Sequence, residues 1–224
     1  MDQYIYLLLA LYLMPFWGII FYKKTEERKR ILKASFLGGI AAEMAEYWYY
    51  TDYWQPPTLF GNLQYTIEDF FVGFFLIGIS MNWYNFIFNK KYQKAVQPNK
   101  KLFFTLFAIG VFLMLVFIKM GFNSMIISPI IFLIFTIIIV FFRQDLINKA
   151  LISGILLLII IMPVYILLFQ IISSHFWQKY WLLKDTKLGI TVLGNLPILE
   201  FFWYFCWGSF SSICYEFFSG KKNV

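Results

Sequence analysis

Apolar residues in this chain come in long blocks, separated by short segments rich in Lys, Pro, Asn and Gly. Seven blocks, at roughly 3–22, 34–50, 65–88, 102–121, 124–142, 149–172 and 193–218, are long enough to cross the hydrocarbon core of a bilayer. The pattern predicts an all-α fold: a polytopic transmembrane bundle of about seven helices in a single membrane domain. The second block is short and carries Glu43 and Glu46, so its assignment rests on the charges around it. With the N-terminus outside, the connections alternate. The inner ones then hold Lys23, Lys24, Arg28, Lys29, Arg30, Lys33, Lys90, Lys91, Lys94, Lys100, Lys101, Arg143, Lys149, Lys221 and Lys222. Of the 19 basic residues only Lys119, Lys179, Lys184 and Lys187 fall outside. The excess of basic residues on one side supports seven spans, N-terminus out and C-terminus in. Dropping the second span scatters the clusters over both sides.

Composition sharpens the class. The 224 residues are 61% hydrophobic and 14% charged, with a mean hydropathy of +0.69. A soluble domain of this size could not hide so much apolar surface, so lipid is expected to be part of the solvent. The net charge of +7 sits in clusters between spans, so topology accounts for it and no nucleic-acid partner is implied. The first block is a full span without a basic leader, which argues against a cleavable signal peptide. Cys206 and Cys214 lie eight positions apart on one predicted helix, roughly 12 Å and too far to bridge. His175 is the only histidine, which excludes a histidine-cluster metal site.

The outer connections differ in kind from the inner ones. Residues 51–64 contain no Lys or Arg, and Pro56-Pro57 ends the preceding helix. Residues 173–192 carry Trp177, Tyr180 and Trp181 at headgroup depth, where aromatics are expected as belt anchors. Helix three opens Ile67-Glu68-Asp69-Phe70-Phe71, and helix seven carries Ile198-Leu199-Glu200-Phe201-Phe202. Each follows a Gly-Asn pair, Gly61-Asn62 and Gly194-Asn195. This implies a parallel internal repeat of helices 1–3 onto 5–7, with units of about 1–90 and 124–220 and a linking helix at 102–121.

Depth brings the acids together. Helices three and seven run inward, placing Glu68, Asp69 and Glu200 in the outer half. Helix two runs outward and lifts Glu43 and Glu46 to the same level, on one face at i and i+3. Glu216 falls near the inner end of helix seven, close to Lys221, and reads as an inner-surface residue. A charged carboxylate in hydrocarbon costs on the order of 2.5–3.5 kcal/mol. Desolvation and mutual repulsion oppose ionisation, so some members of the layer are expected to stay protonated at neutral pH. The bland alternative is that these acids only hydrogen-bond neighbouring helices together. Five at one depth point instead to proton donation and acceptance.

At these residues the sequence resembles a known family. Asn195-Leu196-Pro197-Ile198-Leu199-Glu200, with Cys206 and Tyr215-Glu216 downstream, is similar to the Leu-Pro-Ile-Glu-Glu segment of the integral-membrane lycopene cyclases. Ile67-Glu68-Asp69-Phe70-Phe71, with Gly73-Phe74, Asn82 and Tyr84 after it, is similar to that family's Pro-Ile-Glu-Asp segment. The sharp motifs cover about a fifth of the chain. There are departures: Leu199 replaces an acid, Thr66 replaces a proline, and Phe169-Gln170 stands where Trp-Asp is expected. The two motifs also stand in the opposite order to that usual in fused cyclases.

The resemblance implies a non-redox, acid-catalysed cyclisation of a linear polyene end to a β-ionone-type ring. An acid protonates the terminal alkene, the neighbouring double bond attacks the cation, and a base takes a proton back. Aromatic faces stabilise the cation. Glu68 and Asp69 are the expected acid–base pair, Glu200 the equivalent in the second motif, and Glu43 an orienting or proton-sharing group. Glu46, Trp48, Trp54, Phe70, Phe71, Pro197, Phe202 and Trp203 are the expected substrate-binding residues. No Gly-rich dinucleotide fingerprint and no aspartate-rich metal motif is present, so neither cofactor nor metal is expected. The implied partners are membrane lipid and a linear carotenoid or related polyene; the sequence is compatible with a homo-oligomer without requiring one. The implied location is a prokaryotic inner membrane. Two other readings fit: an isoprenoid-binding relative without turnover, favoured by Leu199 and Gln170, and a small proton-coupled transporter. Pro129 and Pro163 lie away from the acidic layer, which favours a closed pocket over a transport path.

Overall fold

The structure, a computed structural model, describes residues 1–94 and 96–223. It is an all-α bundle. In chain order the α-helices are α1 (Ile5–Lys23), α2 (Arg28–Asp52), α3 (Ile67–Ser80), α4 (Trp83–Ile87), α5 (Lys100–Lys119), α6 (Ser124–Phe142), α7 (Ile147–Ile166), α8 (Phe176–Tyr180) and α9 (Ile198–Ser219). A π-helical turn, Leu167–Ile172, extends α7 just beyond Pro163.

Among the described residues, four helical segments are long and apolar enough to cross a membrane: Asp2–Lys23, Lys100–Lys119, Ser124–Phe142 and Gln144–Ile172. The other three expected spans correspond to α2, α3 with α4, and α9, and each departs from the plain pattern for a visible reason. α2 opens on Arg28-Lys29-Arg30 and carries two glutamates. The third block is not one helix: α3 stops at Ser80 after 14 residues, and α4 starts at Trp83. α9 spans 22 residues but spends many of them on Trp, Tyr, Ser and two acids. α2, α3 and α9, outside that set of four, are the helices that carry the candidate acids.

The chain forms two compact units, 1–79 with 160–201 and 80–159 with 202–224. The first contains α1, α2, α3, the end of α7 and α8. Here α2 and α3 cross at backbone contact, because Gly38 faces the Gly73 carbonyl and Gly73 faces the Gly38 carbonyl. A side chain at either position would collide with the opposite helix, and small residues are what allow helices in lipid to approach so closely. At one end of this unit the chain is stapled. Gln55 N–H donates to Tyr180 C=O at 2.9 Å and Leu182 N–H to Tyr53 C=O at 2.9 Å. Ser173 Oγ donates to Asp2 at 2.7 Å, joined by Lys179 and Tyr180 at 3.2 Å each. The N-terminus and the segments around 53–55 and 173–182 therefore meet at one place.

The second unit is built on the α5–α6 hairpin and on α7 and α9. Leu106, Ile131, Phe135, Ile139, Ala150, Ile213 and Phe217 form its buried core. Two short strands, β1 (Tyr92–Lys94) and β2 (Lys221–Asn223), pair antiparallel. Arg143 donates to the carbonyls of Glu216, at 3.3 Å, and Lys221, at 2.9 Å. Segments 92–94, 143 and 216–223, all assigned to the inner side by charge, gather here.

Glu216 corrects the sequence reading. It is fully buried and paired with Lys149, itself buried, instead of lying at a surface beside Lys221. Lys149 also sits near the rings of Tyr84 and Tyr92, 5.9 and 5.7 Å from their centroids. Trp177 and Trp181 are a second correction. Both are buried, at 2% and 3% exposure, and do not act as a belt in lipid headgroups. The fold turns them inward because the stapled segments cover them.

Candidate functional site

All five carboxylates of the predicted layer lie in the first unit, and four of them, Glu46, Glu68, Asp69 and Glu200, are buried; Glu43 is half-buried. Helix starts set their positions. α3 begins at Ile67 and α9 at Ile198, so Asp69 and Glu200 occupy the same third helical position. Both helices follow a Thr-x-x-Gly turn in which the threonine hydroxyl bonds the glycine carbonyl: Thr58 to Gly61, and Thr191 to Gly194. Both glycines have positive φ, +106° and +96°, a conformation that costs glycine little and other residues much. The first-turn acids sit where unpaired backbone N–H groups and the helix dipole favour negative charge.

Asp69 belongs to a helix cap. Thr66 Oγ1 donates to Asp69 Oδ2 at 2.7 Å and accepts from the Asp69 backbone N–H at 3.3 Å. This relative of the capping box explains why threonine serves at that position. Asp69 also takes a hydrogen bond from Tyr6 of α1. Glu43, on α2, is bonded by the backbone N–H groups of Phe70 and Thr66, tying α2 to the start of α3.

Glu200 is held from both sides. Tyr53 donates to Oε1 at 2.7 Å and Tyr165 to Oε2 at 2.6 Å. Glu46 takes a hydrogen bond from the Trp54 indole and lies within electrostatic reach of Asp69, Glu43 and Glu200. Glu68, fully buried, differs from the rest. One oxygen accepts from Leu59 N–H at 2.7 Å, while Oε2 is buried without a hydrogen-bond partner. The donors to the five acids among the described residues are thus hydroxyls, one indole and backbone N–H groups. Among those residues no three His, Cys, Asp or Glu side chains are arranged to hold a metal ion.

The aromatic residues separate into groups. Trp54 is at the site: it stacks on Trp177 at 6.0 Å and meets the edge of Tyr6 at 5.0 Å. Trp177 also stacks on Tyr165 at 6.3 Å. Phe70 lies against Gly39 and edge-on to Phe36, while Phe71 is more exposed and stacks on Phe75. Pro197 is buried in a short strand pair with Thr191. Trp48 packs edge-to-face on Tyr47 in a partly exposed position. Phe202 and Trp203 belong to the second unit, where Trp203 packs on Phe132, Tyr204 and Trp207.

Sequence reasoning missed Tyr6, Tyr53, Tyr165 and Trp177. Their common signal is a Tyr or Trp near the end of its segment, which a chain with 23% aromatics conceals. Gln170, in the place of the expected acid, has a buried amide nitrogen without a partner and stays clear of the hydrogen bonds around Glu200.

Compared with known proteins, the family model for lycopene cyclase matches residues 123–218, somewhat under half of the chain. The match covers α6 to α9 and includes Glu200, Tyr165 and Trp177, while α1 to α3 lie outside it. Curated proteins and solved structures give no significant match.

Proposed function

We propose, from the place in the lycopene cyclase family that residues 123–218 support, that this chain is a membrane-embedded carotenoid cyclase. It converts a linear polyene end to a cyclohexene ring without oxidation or reduction. One observation carries the reading: five carboxyl groups from three helices meet in a largely buried cluster served by hydroxyl, indole and backbone donors. A proton donor to an alkene must be a neutral acid, because the alkene is a very weak base and bulk water competes for both proton and cation. Burial among aromatics keeps water away. The Trp54, Trp177 and Tyr6 rings packed together beside the acids supply attraction for the intermediate cation.

The wider organisation follows the same reading. The chain crosses a prokaryotic inner membrane seven times, N-terminus out. The Thr-x-x-Gly-Asn-Leu turns at 58–63 and 191–196, each leading into an acid-bearing helix, support a duplication of a three-helix unit.

Expression in a lycopene-accumulating bacterium tests the function. Red pigment is expected to shift to orange-yellow cyclic products, and Glu68→Gln to abolish the shift at unchanged protein level. Persistence of lycopene beside abundant wild-type protein counts against turnover of this substrate. Leu199, in the place of an acid, favours a second reading, an isoprenoid binder without turnover. That reading requires unchanged lycopene to co-purify with the protein.

A further inference from the structure

Charge is divided unevenly between the two units. The second, 80–159 with 202–224, holds ten basic residues and two carboxylates, whereas the first holds nine and ten. The whole positive excess of the chain therefore belongs to the second unit. Its two acids are already engaged: Asp145 by two nitrogens of Arg143, at 2.7 and 2.8 Å, and Glu216 by Lys149. The sequence of that unit has no third Asp or Glu to answer its remaining lysines.

Hydrogen bonds fix the place where several of these lysines gather. Beyond the β1–β2 ribbon, Val96 N–H donates to Gly220 C=O at 3.1 Å and Asn99 N–H to Phe217 C=O at 3.2 Å. Gly220, at φ +70°, permits this approach, since a side chain there would strike the Val96 carbonyl. The start of α5 is thus tied to the end of α9. Lys100 and Lys101 open α5 and are both exposed, with Lys100 Nζ 5.7 Å from the Phe218 ring centroid. A shallow groove of about 340 Å³ lies at this junction, lined by Pro98, Asn99, Lys101, Leu102 and Thr105. From the lysines the same face of α5 continues with Phe104, Phe107, Val111 and Leu115, three or four positions apart and 41–62% exposed.

We infer that this junction seats an anionic phospholipid, with its phosphate on Lys100 and Lys101 and its acyl chains along the exposed face of α5. The occupant must be negative at one end and apolar over roughly 16 Å beyond it, the length of α5 from Phe104 to Leu115. A free anion leaves the apolar face uncovered, and a neutral lipid leaves the charge unanswered. A second copy in the same membrane orientation brings its own lysines to the same end, where they repel. Lys91, Lys221 and Lys222 on and beside the ribbon keep the local field positive. Each lysine at a headgroup layer contributes about fivefold in binding to anionic lipid.

Native mass spectrometry of the full chain in detergent, with phosphatidylglycerol and phosphatidylcholine of identical acyl chains, tests the seat. Wild-type protein is expected to retain phosphatidylglycerol preferentially. Lys100→Gln with Lys101→Gln is expected to bind it about 25-fold more weakly at low salt, and Lys100→Arg with Lys101→Arg to keep it. Lys119→Gln, at the far end of the same helix, is expected to bind as wild type does. Equal retention of the two lipids, or undiminished retention by the double Gln variant, overturns the assignment. In thermal melts phosphatidylglycerol is expected to raise the melting temperature, while inorganic phosphate and the deacylated headgroup are not. An equal rise with phosphate alone means a free-anion site, and a lipid-free dimer dissociated by Phe107→Ala means that a second copy covers α5; either overturns the seat. None of these readouts uses lycopene, so the result is independent of the cyclase reading.

Discussion

Thr66 does two jobs with one hydroxyl, accepting from the Asp69 backbone N–H and donating to the Asp69 carboxylate. Proline at this position, as in the related motif, would supply helix geometry but no hydrogen bond. Thr66→Ala should therefore cost about 1 kcal/mol of stability through loss of the cap, and should also remove the hydroxyl donor from Asp69 Oδ2. A thermal melt in detergent reads the first effect; reduced pigment conversion at matched protein level reads the second. An unchanged melt would mean that α3 starts equally well without the cap. At this scale the acids were legible in the sequence, because a carboxylate in an apolar block has few bland explanations. Their hydroxyl partners were not. Tyr53, Tyr165 and Tyr6 look like any other aromatic in so aromatic a chain, and the contact between Tyr53 and Glu200 spans 147 positions.

Individual elements were harder to read than their number suggests. The third apolar block reads as one helix, yet the structure breaks it at Met81-Asn82 without proline or glycine to signal the stop. Glu216 was placed beside Lys221 because five positions separate them, whereas folding pairs it with Lys149, 67 positions away. That pair holds α7 to α9 inside the second unit. Removing one partner strands a buried charge, a loss that typically costs about 3–5 kcal/mol. Lys149→Met and Glu216→Leu are each expected to lower the melting temperature markedly, and the double substitution to recover most of the loss. Recovery separates the penalty of an unpaired charge from any intrinsic value of the pair. If the double variant is as unstable as the sum of the singles, the residues act independently.

For the molecule as a whole, alternation of basic and non-basic connections gives a topology that can be checked directly. In a variant with Cys206 and Cys214 replaced by serine, single cysteines at Phe60 and Gln178 should react with an impermeant thiol reagent from the outer side. Single cysteines at Glu26 and Gln144 should react only after the membrane is opened. Labelling of positions 26 and 60 from the same side would remove α2 from the set of spans. Basic residues carry this level of information because they resist transfer across a bilayer, so the topology is an expectation drawn without coordinates and the labelling decides it. The crossing of α2 over α3 was not, since Gly38 and Gly73 become meaningful only when seen facing each other. That crossing lies five positions from Glu43 and four from Asp69, roughly 6–8 Å along each axis. The two glycines thus work as the pin of a pair of shears whose tips are carboxyl groups. Thickening the pin by one methyl spreads the tips without touching them, so the gap between the two acids is set at a point that has no acid of its own.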